Sequence, residues 1–370
     1  MRTRRKLKMN ATLIVNKTDF RDTTLKDAPI GDLADGNIRV DIGPFALTAN
    51  NITYMVTGDM IGYWKFFDPA AYGIESENAG RMPVWGYGKV VESKCESVPV
   101  GSKIYGFFPI ANQIDMKPVK FTPVGFQDGA DHRVDLHSIY NSYTMVDKDP
   151  SFNAAFEELQ PILRPLFTTS FLIDDMFADA DFYGAEQIVI LSASSKTALG
   201  TAYCLNERDG PTVVGLTSKG NIDFVEKTGF YNQVVSYDDI TSLDTSKKTA
   251  LIDMAGNGDI MGKVYDHIGN NIVYNCMVGK SHWQGGTPPK ITAGAPPTMF
   301  FAPDRAKQRF ADWGPEGFAK NLGARWVPFC VSAKSWMRVE SHTGEAALMR
   351  TYKELLDGKA DPSLGQLFTL

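Results

Sequence analysis

The stretch Ile188-Val-Ile-Leu-Ser-Ala-Ser-Ser-Lys-Thr-Ala-Leu-Gly200 passes from an apolar run to a small polar turn and then to a helical pattern. A short apolar run bounded by turn residues is typical of a buried β-strand. The residues after the turn continue the helical pattern to about position 208. This stretch therefore predicts one strand–turn–helix unit, and the rest of the fold can be built outward from it.

The same alternation repeats further along the chain. We predict five strands, at residues 187–191, 212–216, 233–236, 249–253 and 271–278. Between them we predict helices at residues 197–208, 221–228 and 259–268. Repeated βα units with apolar strands predict a parallel, doubly wound sheet.

The segments on either side have different patterns. Residues 36–125 alternate apolar and polar positions between glycines and prolines, which predicts a β-rich, barrel-like unit. Residues 153–182 have helical spacing, and after the sheet we predict a helix at 302–322, a strand at 326–331 and a helix at 344–356. The predicted domains are residues 1–155, 156–300 and 301–370, the last returning to the first.

Composition and charge exclude several classes of protein. The 370 residues include 38 basic and 43 acidic side chains, a formal net charge of −5, so no basic field points to nucleic acid. No apolar run approaches the roughly 20 residues that span a membrane, and no secretory signal follows the basic N-terminus. We predict a cytoplasmic protein with reduced thiols, because four cysteines lie far apart, at Cys95, Cys204, Cys276 and Cys330.

Several segments carry a family resemblance. They are Phe45-Ala-Leu-Thr-Ala-Asn-Asn-Ile-Thr-Tyr-Met-Val-Thr-Gly58, the pair Pro83-Val-Trp-Gly-Tyr-Gly-Lys-Val-Val91 and Val100-Gly-Ser-Lys-Ile-Tyr-Gly106, Leu166-Phe-Thr-Thr-Ser-Phe171, and the opening stretch. Together with the order of elements, they resemble the medium-chain dehydrogenase/reductase superfamily over most of residues 36–300. The likeness is to zinc-independent quinone and enoyl reductases, and to an uncharacterised branch with a Ser-Ala-Ser-Ser-Lys-Thr turn and a Phe-Phe-Ala-Pro segment, here at 300–303.

The resemblance implies an α/β protein with a GroES-like β-rich domain and a Rossmann domain with a doubly wound parallel sheet. It implies a dinucleotide cofactor and a small-molecule substrate in a cleft between the domains. Relatives often form dimers through the last strand of the Rossmann sheet. By analogy the implied partner is a second copy of the chain, with residues 271–278 at the edge.

The first βα turn is the main cofactor signal. Rossmann turns use glycines so that the backbone approaches the pyrophosphate at a helix N-terminus. Here only Gly200 remains, and the usual small residues are replaced by Ser194, Ser195, Lys196 and Thr197. We predict that hydroxyls and the lysine bind phosphate. The alternative is that the turn only caps the helix, or that the domain has lost its cofactor.

The end of the second strand favours NADPH over NADH. NAD sites place an acid there for the ribose 2′-hydroxyl, but this chain has Ser218, Lys219 and Asn221. A hydroxyl and a cation suit a 2′-phosphate, which an acid would repel. The alternative for Lys219 is a solvated loop lysine. Further cofactor contacts that we predict from the resemblance are Thr168, Thr169, Tyr237, Gly256, Val278, Gly279 and Phe301; simple packing remains the alternative.

Metal chemistry is not expected. Zinc-dependent relatives carry a Gly-His-Glu turn where this chain has Gly86-Tyr87-Gly88, and three convergent ligands are the minimum for catalytic zinc. His132 and His137 lie among aspartates, but their spacing matches no rigid motif. We interpret that segment as a solvated polar loop.

Without zinc, a conjugated carbonyl or a quinone is the expected substrate, because it needs less polarisation than a simple carbonyl. Tyr54 matches the tyrosine near the substrate in quinone reductases, and Asn51 is a weaker oxyanion candidate. Tyr63, Trp64 and His282 are predicted to wall the substrate site. The alternatives are a core tyrosine with a satisfied hydroxyl, domain-interface packing for the aromatic residues, and a structural histidine.

The sequence thus predicts an NADPH-dependent, zinc-independent reductase of an α,β-unsaturated carbonyl or quinone by hydride transfer. Two other classes of function stay open. One is a non-redox lyase or isomerase that uses the same cleft, and the other is a non-catalytic NADPH-binding protein. We expect no nucleic-acid or membrane partner.

Overall fold

The computed structural model describes residues 9–280 and 290–370. The chain divides into two units. Unit 1 contains the residues up to Ile162 together with Val339–Ala360 and Gln366–Leu370, and unit 2 contains Leu163–Arg338 and Asp361–Gly365. The long helix described below keeps the chain in unit 2 up to Arg338, so the return to unit 1 begins later than residue 301.

The strands of the described chain are β1 Met9–Asn16, β2 Asp19–Pro29, β3 Ile38–Leu47, β4 Ala79–Gly80, β5 Pro83–Ser93, β6 Lys103–Pro109, β7 Gln113–Met116, β8 Pro118–Thr122, β9 Gly125–Asp128, β10 Ser142–Met145, β11 Gln187–Leu191, β12 Thr212–Thr217, β13 Gln233–Ser236, β14 Thr249–Asp253, β15 Ile272–Met277, β16 Pro297–Met299, β17 Arg338–Thr343 and β18 Leu364–Thr369.

The α-helices are α1 Asn50–Val56, α2 Gly58–Ile61, α3 Ser138–Asn141, α4 Leu159–Asp179, α5 Lys196–Asn206, α6 Ile222–Thr228, α7 Gly258–Ile268, α8 Ala302–Trp336 and α9 Glu345–Leu356. Short 3₁₀ turns connect several of these elements. None of the helices that the structure describes combines the length and the apolarity needed to cross a bilayer.

Unit 2 is built on a six-stranded parallel sheet with the order β13-β12-β11-β14-β15-β16. Numbered from β11, this is the 3-2-1-4-5-6 order of a dinucleotide-binding fold. The predicted parallel, doubly wound sheet is therefore confirmed. β16 was not predicted, and because it pairs with β15, residues 271–278 lie inside the sheet rather than at its edge.

Helix α5 packs closely against α4 because Gly200 has no side chain. A Cβ at Gly200 would lie 2.7 Å from the Ser170 hydroxyl oxygen and 3.2 Å from the Phe167 ring, both on α4. The buried strand β11 lies beside α5 in this layer. The surviving glycine of the first βα turn thus serves helix packing.

Unit 1 has a nine-stranded sheet and a small three-stranded sheet within the described chain. In the large sheet, β3 lies between β18 and β5, and β7 also pairs with β3. The β-rich character predicted for residues 36–125 is therefore confirmed. The hairpin β1–β2, which forms the small sheet with β4, was not predicted, because β2 carries mainly polar residues.

The predicted strand at residues 326–331 is wrong, because this segment lies inside α8. The buried side chains Trp326, Phe329, Cys330 and Ala333 recur at helical spacing, and they form one apolar face. Aromatic and β-branched residues suggested a strand, but the buried face decides in favour of the helix.

Candidate functional site

The turn after β11, here called the serine turn (residues 192–195), keeps the backbone shape of a glycine turn. Ser192 has a φ of 57°, in the left-handed region that glycine adopts without strain. The turn leads directly into α5, whose first N–H groups have no partner within the helix. A strand, a tight turn and a helix N-terminus are the elements that bind phosphate in nucleotide folds.

Side chains from three other segments hold the serine turn. The Ser192 N–H donates to the Tyr237 hydroxyl over 3.1 Å, and the Tyr231 hydroxyl donates to the Ala193 carbonyl over 2.9 Å. The Asn221 amide donates to the Ser194 hydroxyl oxygen over 3.0 Å. The structure thus brings three of the predicted residues, Ser194, Asn221 and Tyr237, to one turn. It adds Tyr231, which the sequence analysis missed.

The next residues begin α5. Ser195 is the N-cap, and its hydroxyl oxygen accepts from the Ala198 N–H over 3.3 Å. Lys196 donates to the carbonyls of Pro362 and Leu364 over 3.2 and 2.9 Å, and burial lowers its pKa to about 8. The Thr197 carbonyl accepts a hydrogen bond from Ser170. The ammonium group of Lys196 therefore anchors the segment 361–365, and a phosphate would compete with two carbonyls for it.

The end of β12 carries an exposed cation. β12 ends at Thr217, and Ser218 and Lys219 are both exposed. Within the part of the chain that the structure describes, Lys219 forms no ion pair. No acid stands at the end of the strand, where it would repel a 2′-phosphate.

A second turn contributes glycine contacts. The Asp253 carboxylate accepts from the N–H groups of Ala255 and Gly256 over 3.1 and 2.9 Å. Gly256 has a φ of 67°, and a Cβ there would lie 3.1 Å from the Gly279 carbonyl oxygen. The Val278 N–H donates to the Asp253 carbonyl over 2.8 Å. The predicted residues Gly256, Val278 and Gly279 therefore adjoin one another at the ends of β14 and β15.

Three other predicted cofactor contacts have different surroundings. Thr168 and Thr169 lie within α4 and not on a turn, and their hydroxyls donate to the carbonyls four residues earlier. Phe301 is the N-cap residue of α8 and is half-buried.

Unit 1 contains an aromatic cluster made of Tyr54, Tyr63, Phe66, Phe67 and Phe107. Tyr54, on α1, is 5% exposed, and its ring centroid lies 4.7 Å from that of Tyr63 and 5.3 Å from that of Phe107. Its hydroxyl oxygen accepts from the Trp85 indole over 3.0 Å. Burial raises the pKa of Tyr54 well above its usual value, and hydrogen bonds from Trp85 and Asn50 oppose that shift. The phenol is therefore neutral at physiological pH.

The neighbouring candidates are held by the fold. The Asn51 side chain accepts from the Thr48 N–H over 2.7 Å and donates to the Pro83 carbonyl over 2.9 Å. The hydroxyls of Tyr63 and Tyr140 are hydrogen-bonded to each other over 2.9 Å. Trp64 covers two glycines so closely that a Cβ at Gly58 or Gly80 would overlap its ring. His282 lies outside the described residues.

The turn that carries zinc ligands in other enzymes is part of β5 here. Tyr87 is buried between Gly86 and Gly88, and its hydroxyl donates to the Glu157 carbonyl over 3.1 Å. No group of three or more potential ligand side chains lies together in residues 9–280 and 290–370.

The loop near His132, which we predicted to be solvated, is partly buried. Asp128 and Arg133 in this loop form a buried ion pair over 2.5 Å, with exposures of 2% and 1%. The Nε2 of His132 lies 3.2 Å from the Phe66 carbonyl oxygen, and the Nδ1 of His137 accepts from the Ile139 N–H. The ion pair and these two contacts, rather than solvent, organise the loop.

Comparison with known proteins gives one family and many similar structures. The sequence profile of a family described as "Protein of unknown function (DUF2855)" matches residues 45–361. No curated protein matches the sequence. The yhdH oxidoreductase from Salmonella enterica in complex with NADP is similar over 98% of this chain and 100% of its own, with a TM-score of 0.53 and 13% identity.

Two further structures are similar over nearly their whole length. The quinone oxidoreductase from Coxiella burnetii has a TM-score of 0.56 and 14% identity, covering 98% of this chain and 100% of its own. CurA in complex with NADPH from Vibrio vulnificus has a TM-score of 0.57 and 13% identity, covering 97% and 98%. These similarities confirm the predicted fold class, which is the two-domain fold of the medium-chain reductases.

Proposed function

The chain belongs to the DUF2855 family of proteins of unknown function, and we propose that it is an NADPH-dependent, zinc-independent reductase. The proposed substrate is an α,β-unsaturated carbonyl or a quinone. Three similar structures were solved with NADP or NADPH bound, and others are described as quinone or enoyl reductases. This support is one of fold, so the argument below depends on the residues of this chain.

The observation that carries the proposal is the pairing of the serine turn with the end of β12. Ser192 keeps a left-handed backbone at the point where a strand meets a helix N-terminus. Lys219 is exposed at the end of the neighbouring strand, where no acid stands. A pyrophosphate suits the first feature and a 2′-phosphate suits the second.

The residues that would hold NADPH follow from these contacts. The N–H groups of Lys196 and Thr197 and the hydroxyl of Ser194 would bind the pyrophosphate, and Ser218 and Lys219 would bind the 2′-phosphate. We keep Gly256, Val278 and Gly279 as neighbours of the cofactor, because they adjoin at the carboxyl ends of strands. When bound, NADPH supplies the hydride that reduces the conjugated bond.

Tyr54 is the proposed catalytic residue of unit 1. Its buried phenol stays protonated, and because Trp85 donates to its oxygen, its own O–H can donate elsewhere. That O–H would donate a hydrogen bond to the oxygen that gains negative charge during reduction. Asn51 would position α1 through its bonds to Thr48 and Pro83 rather than contact the substrate.

One specific observation favours a second function, that of a non-catalytic NADPH-binding protein. Tyr54 lies inside the aromatic cluster and its hydroxyl already has a protein partner. A protein of this kind would bind NADPH without oxidising it against any acceptor. Screening enones and quinones with saturating NADPH separates the two functions, since only the reductase consumes the cofactor.

The test of cofactor binding is a titration with NADPH and NADH followed by nicotinamide fluorescence. We expect NADPH to bind at least about tenfold more tightly than NADH. Lys219→Glu should raise the NADPH Kd at least about tenfold, or about 1.4 kcal/mol. The matched control is Lys227→Glu, the same charge change at an exposed residue of α6.

Two outcomes of this titration count against the proposal. Equal losses in the two variants would remove Lys219 from the site. Failure of the unmodified protein to bind either cofactor would favour a non-redox enzyme.

The homodimer predicted from the resemblance also remains a proposal, now with β16 as the sheet edge, and light scattering on the purified protein tests it.

A further inference from the structure

A cavity of about 260 Å³ lies within unit 1, and none of the residues proposed for NADPH or substrate lines it. Its walls come from β1, β3 and β7, from residues 28–31 and 66–68, and from Tyr72, Arg81, Asp128, Ala130, His132 and Arg133. Three arginines line it, and each is almost entirely buried: Arg39 is 8% exposed, Arg81 3% and Arg133 1%.

The three arginines differ in their partners. Arg39 binds the carboxylates of Asp115 and Glu92. Arg133 binds the Asp128 carboxylate and the Tyr143 hydroxyl. Arg81 donates from Nε to the Thr12 hydroxyl over 3.0 Å, but it forms no ion pair with a carboxylate in the described chain. Of these three arginines, only Arg81 has no carboxylate within ion-pair distance among the described residues.

Polar atoms at the cavity lack partners. The Nη2 of Arg81, the Nε of Arg133 and the Oε1 of Gln113 are buried and have no hydrogen-bond partner among the described residues. The Nε2 of Gln113 donates to Asp41, which fixes the orientation of its amide. All three residues line the cavity, so it is bordered by two cations that each keep an unpaired donor and by an amide that keeps an unpaired acceptor.

Aromatic rings join the two arginines into one site. The Cζ of Arg81 lies 4.2 Å from the Tyr72 ring centroid and 6.0 Å from that of Phe67. The Cζ of Arg133 lies 5.0 Å from the same Phe67 ring and 5.5 Å from that of Phe66. Phe67 therefore lies within reach of both guanidinium groups, and apolar ring surface adjoins the free donors.

An unpaired buried cation is costly, so its presence calls for an explanation. Burial lowers the pKa of Arg81, while Tyr72 and the charge of the exposed Asp68 oppose that shift. Asp68 itself accepts from the Ala70 N–H and caps a short 3₁₀ turn. A guanidinium is the side chain best suited to carboxylate and phosphate, because its planar donors match two oxygens.

We propose that this arginine pocket, defined by Arg81, Arg133, Gln113, Phe67 and Tyr72, binds the carboxylate or phosphate group of a small organic anion. The anion accepts from Arg81 and Arg133, and its apolar part packs against Phe67 and Tyr72. The site lies wholly in unit 1 and is independent of NADPH. It gives the protein a second ligand site beyond the proposed reductase chemistry.

The test is calorimetric titration of the full chain with benzoate, phenyl phosphate and the neutral benzamide. We expect at least one anion to bind and benzamide not to bind. The stronger of the two anions identifies the group as carboxylate or phosphate. Arg81→Gln should raise the Kd of that anion at least about tenfold. The matched control is Arg21→Gln, a half-exposed arginine of unit 1 that does not line the cavity and should leave the Kd unchanged.

Stability and NADPH binding separate this role from a structural one. We expect Arg81→Met to unfold at or above the temperature of the unmodified protein, because it removes an unpaired buried charge. The Kd of NADPH should not change in either variant. Absence of binding by both anions overturns the proposal. So does binding that is insensitive to Arg81→Gln, or displacement of NADPH by the anions. If Arg81→Gln does not fold, Arg81→Lys, which keeps the charge but loses the planar fork, replaces it.

Discussion

The aromatic cluster of unit 1 and the serine turn of unit 2 differ in how their polar groups are used. In the cluster, the hydroxyls of Tyr54 and Tyr63 are hydrogen-bonded to neighbouring side chains and the rings are buried. Beside the serine turn, Ser218 and Lys219 are exposed. The comparison teaches that the polar groups of the cluster are engaged within the protein, whereas Ser218 and Lys219 remain available for a ligand.

The largest expected effect comes from truncating the cluster at Phe107, which is fully buried and contacts Tyr54, Tyr63 and Phe67. Phe107→Ala should lower the free energy of unfolding by about 3–5 kcal/mol, because it leaves a cavity. Urea denaturation measures the loss. The milder Phe107→Leu should lose less, and neither variant should change the NADPH Kd. A changed Kd would show that the aromatic cluster also affects the cofactor site, contrary to the comparison above.

Tyr54→Phe asks whether the cluster also takes part in chemistry. We expect kcat to fall about 100-fold, equivalent to about 2.7 kcal/mol, because the hydrogen bond to the developing oxyanion is lost. Steady-state kinetics with an enone or quinone acceptor gives kcat, and fluorescence should show an unchanged NADPH Kd. An unchanged kcat would restrict Tyr54 to packing and favour the non-catalytic function.

The buried Lys196 of unit 2 should make the stability of the protein depend on pH. Its folded pKa of about 8 lies below the ordinary value of 10.5, so between these values the unfolded chain binds the proton more readily. Lys196 should therefore contribute a rise in stability on the order of 2 kcal/mol between about pH 8 and about pH 10.5, which opposes the fall caused over the same range by buried tyrosines and cysteines with raised pKa. Lys196→Gln should lack this rise, as measured by urea denaturation at each pH, whereas Lys227→Gln should retain it.

The smallest effect is expected at Ser192. Ser192→Gly relieves the left-handed backbone but adds entropy to the unfolded chain, so stability should change by no more than about 0.5 kcal/mol. The matched change within the turn is Ser195→Ala, which removes the N-cap and should cost about 1 kcal/mol. Thermal unfolding compares the two. A large loss at Ser192 would mean that its hydroxyl contact with Tyr237 matters more than its backbone shape.

Much of unit 2 could be predicted because its strands are short, apolar and bounded by turns. Strands 187–191 and 249–253 have the predicted bounds, since burial on both faces leaves a continuous apolar run in the sequence. Strand 233–236 also has the predicted bounds, although its first residue is exposed. β1 and β2 were missed because β2 is largely polar and its place is fixed by pairing with β1. Residues 326–331 were placed in a strand because local propensity was weighed above the helical spacing of buried positions.

The candidate site could be predicted only in part. Ser194, Asn221 and Tyr237 were named from their positions after strands, and the structure brings them to one turn. The anchoring of Lys196 by the carbonyls of Pro362 and Leu364 joins residues far apart in sequence, so no local pattern announces it. Arg81 was missed for the same reason, because its lack of a carboxylate partner appears only when unit 1 is assembled.

The strand β18 pairs with β3, which lies more than 300 residues earlier in the chain. The large sheet can therefore be completed only after residues 364–369 have been synthesised. Tyr352 of α9 donates to the Phe20 carbonyl across a separation of 332 residues. At a synthesis rate of about 5–20 residues per second, the N-terminal strands wait roughly 20 s to 1 min for these partners. Residues 163–338 emerge as one stretch and are free to fold during that wait. The large sheet therefore stays incomplete until β18 has been made, and during that interval the chain is most exposed to chaperones and to aggregation.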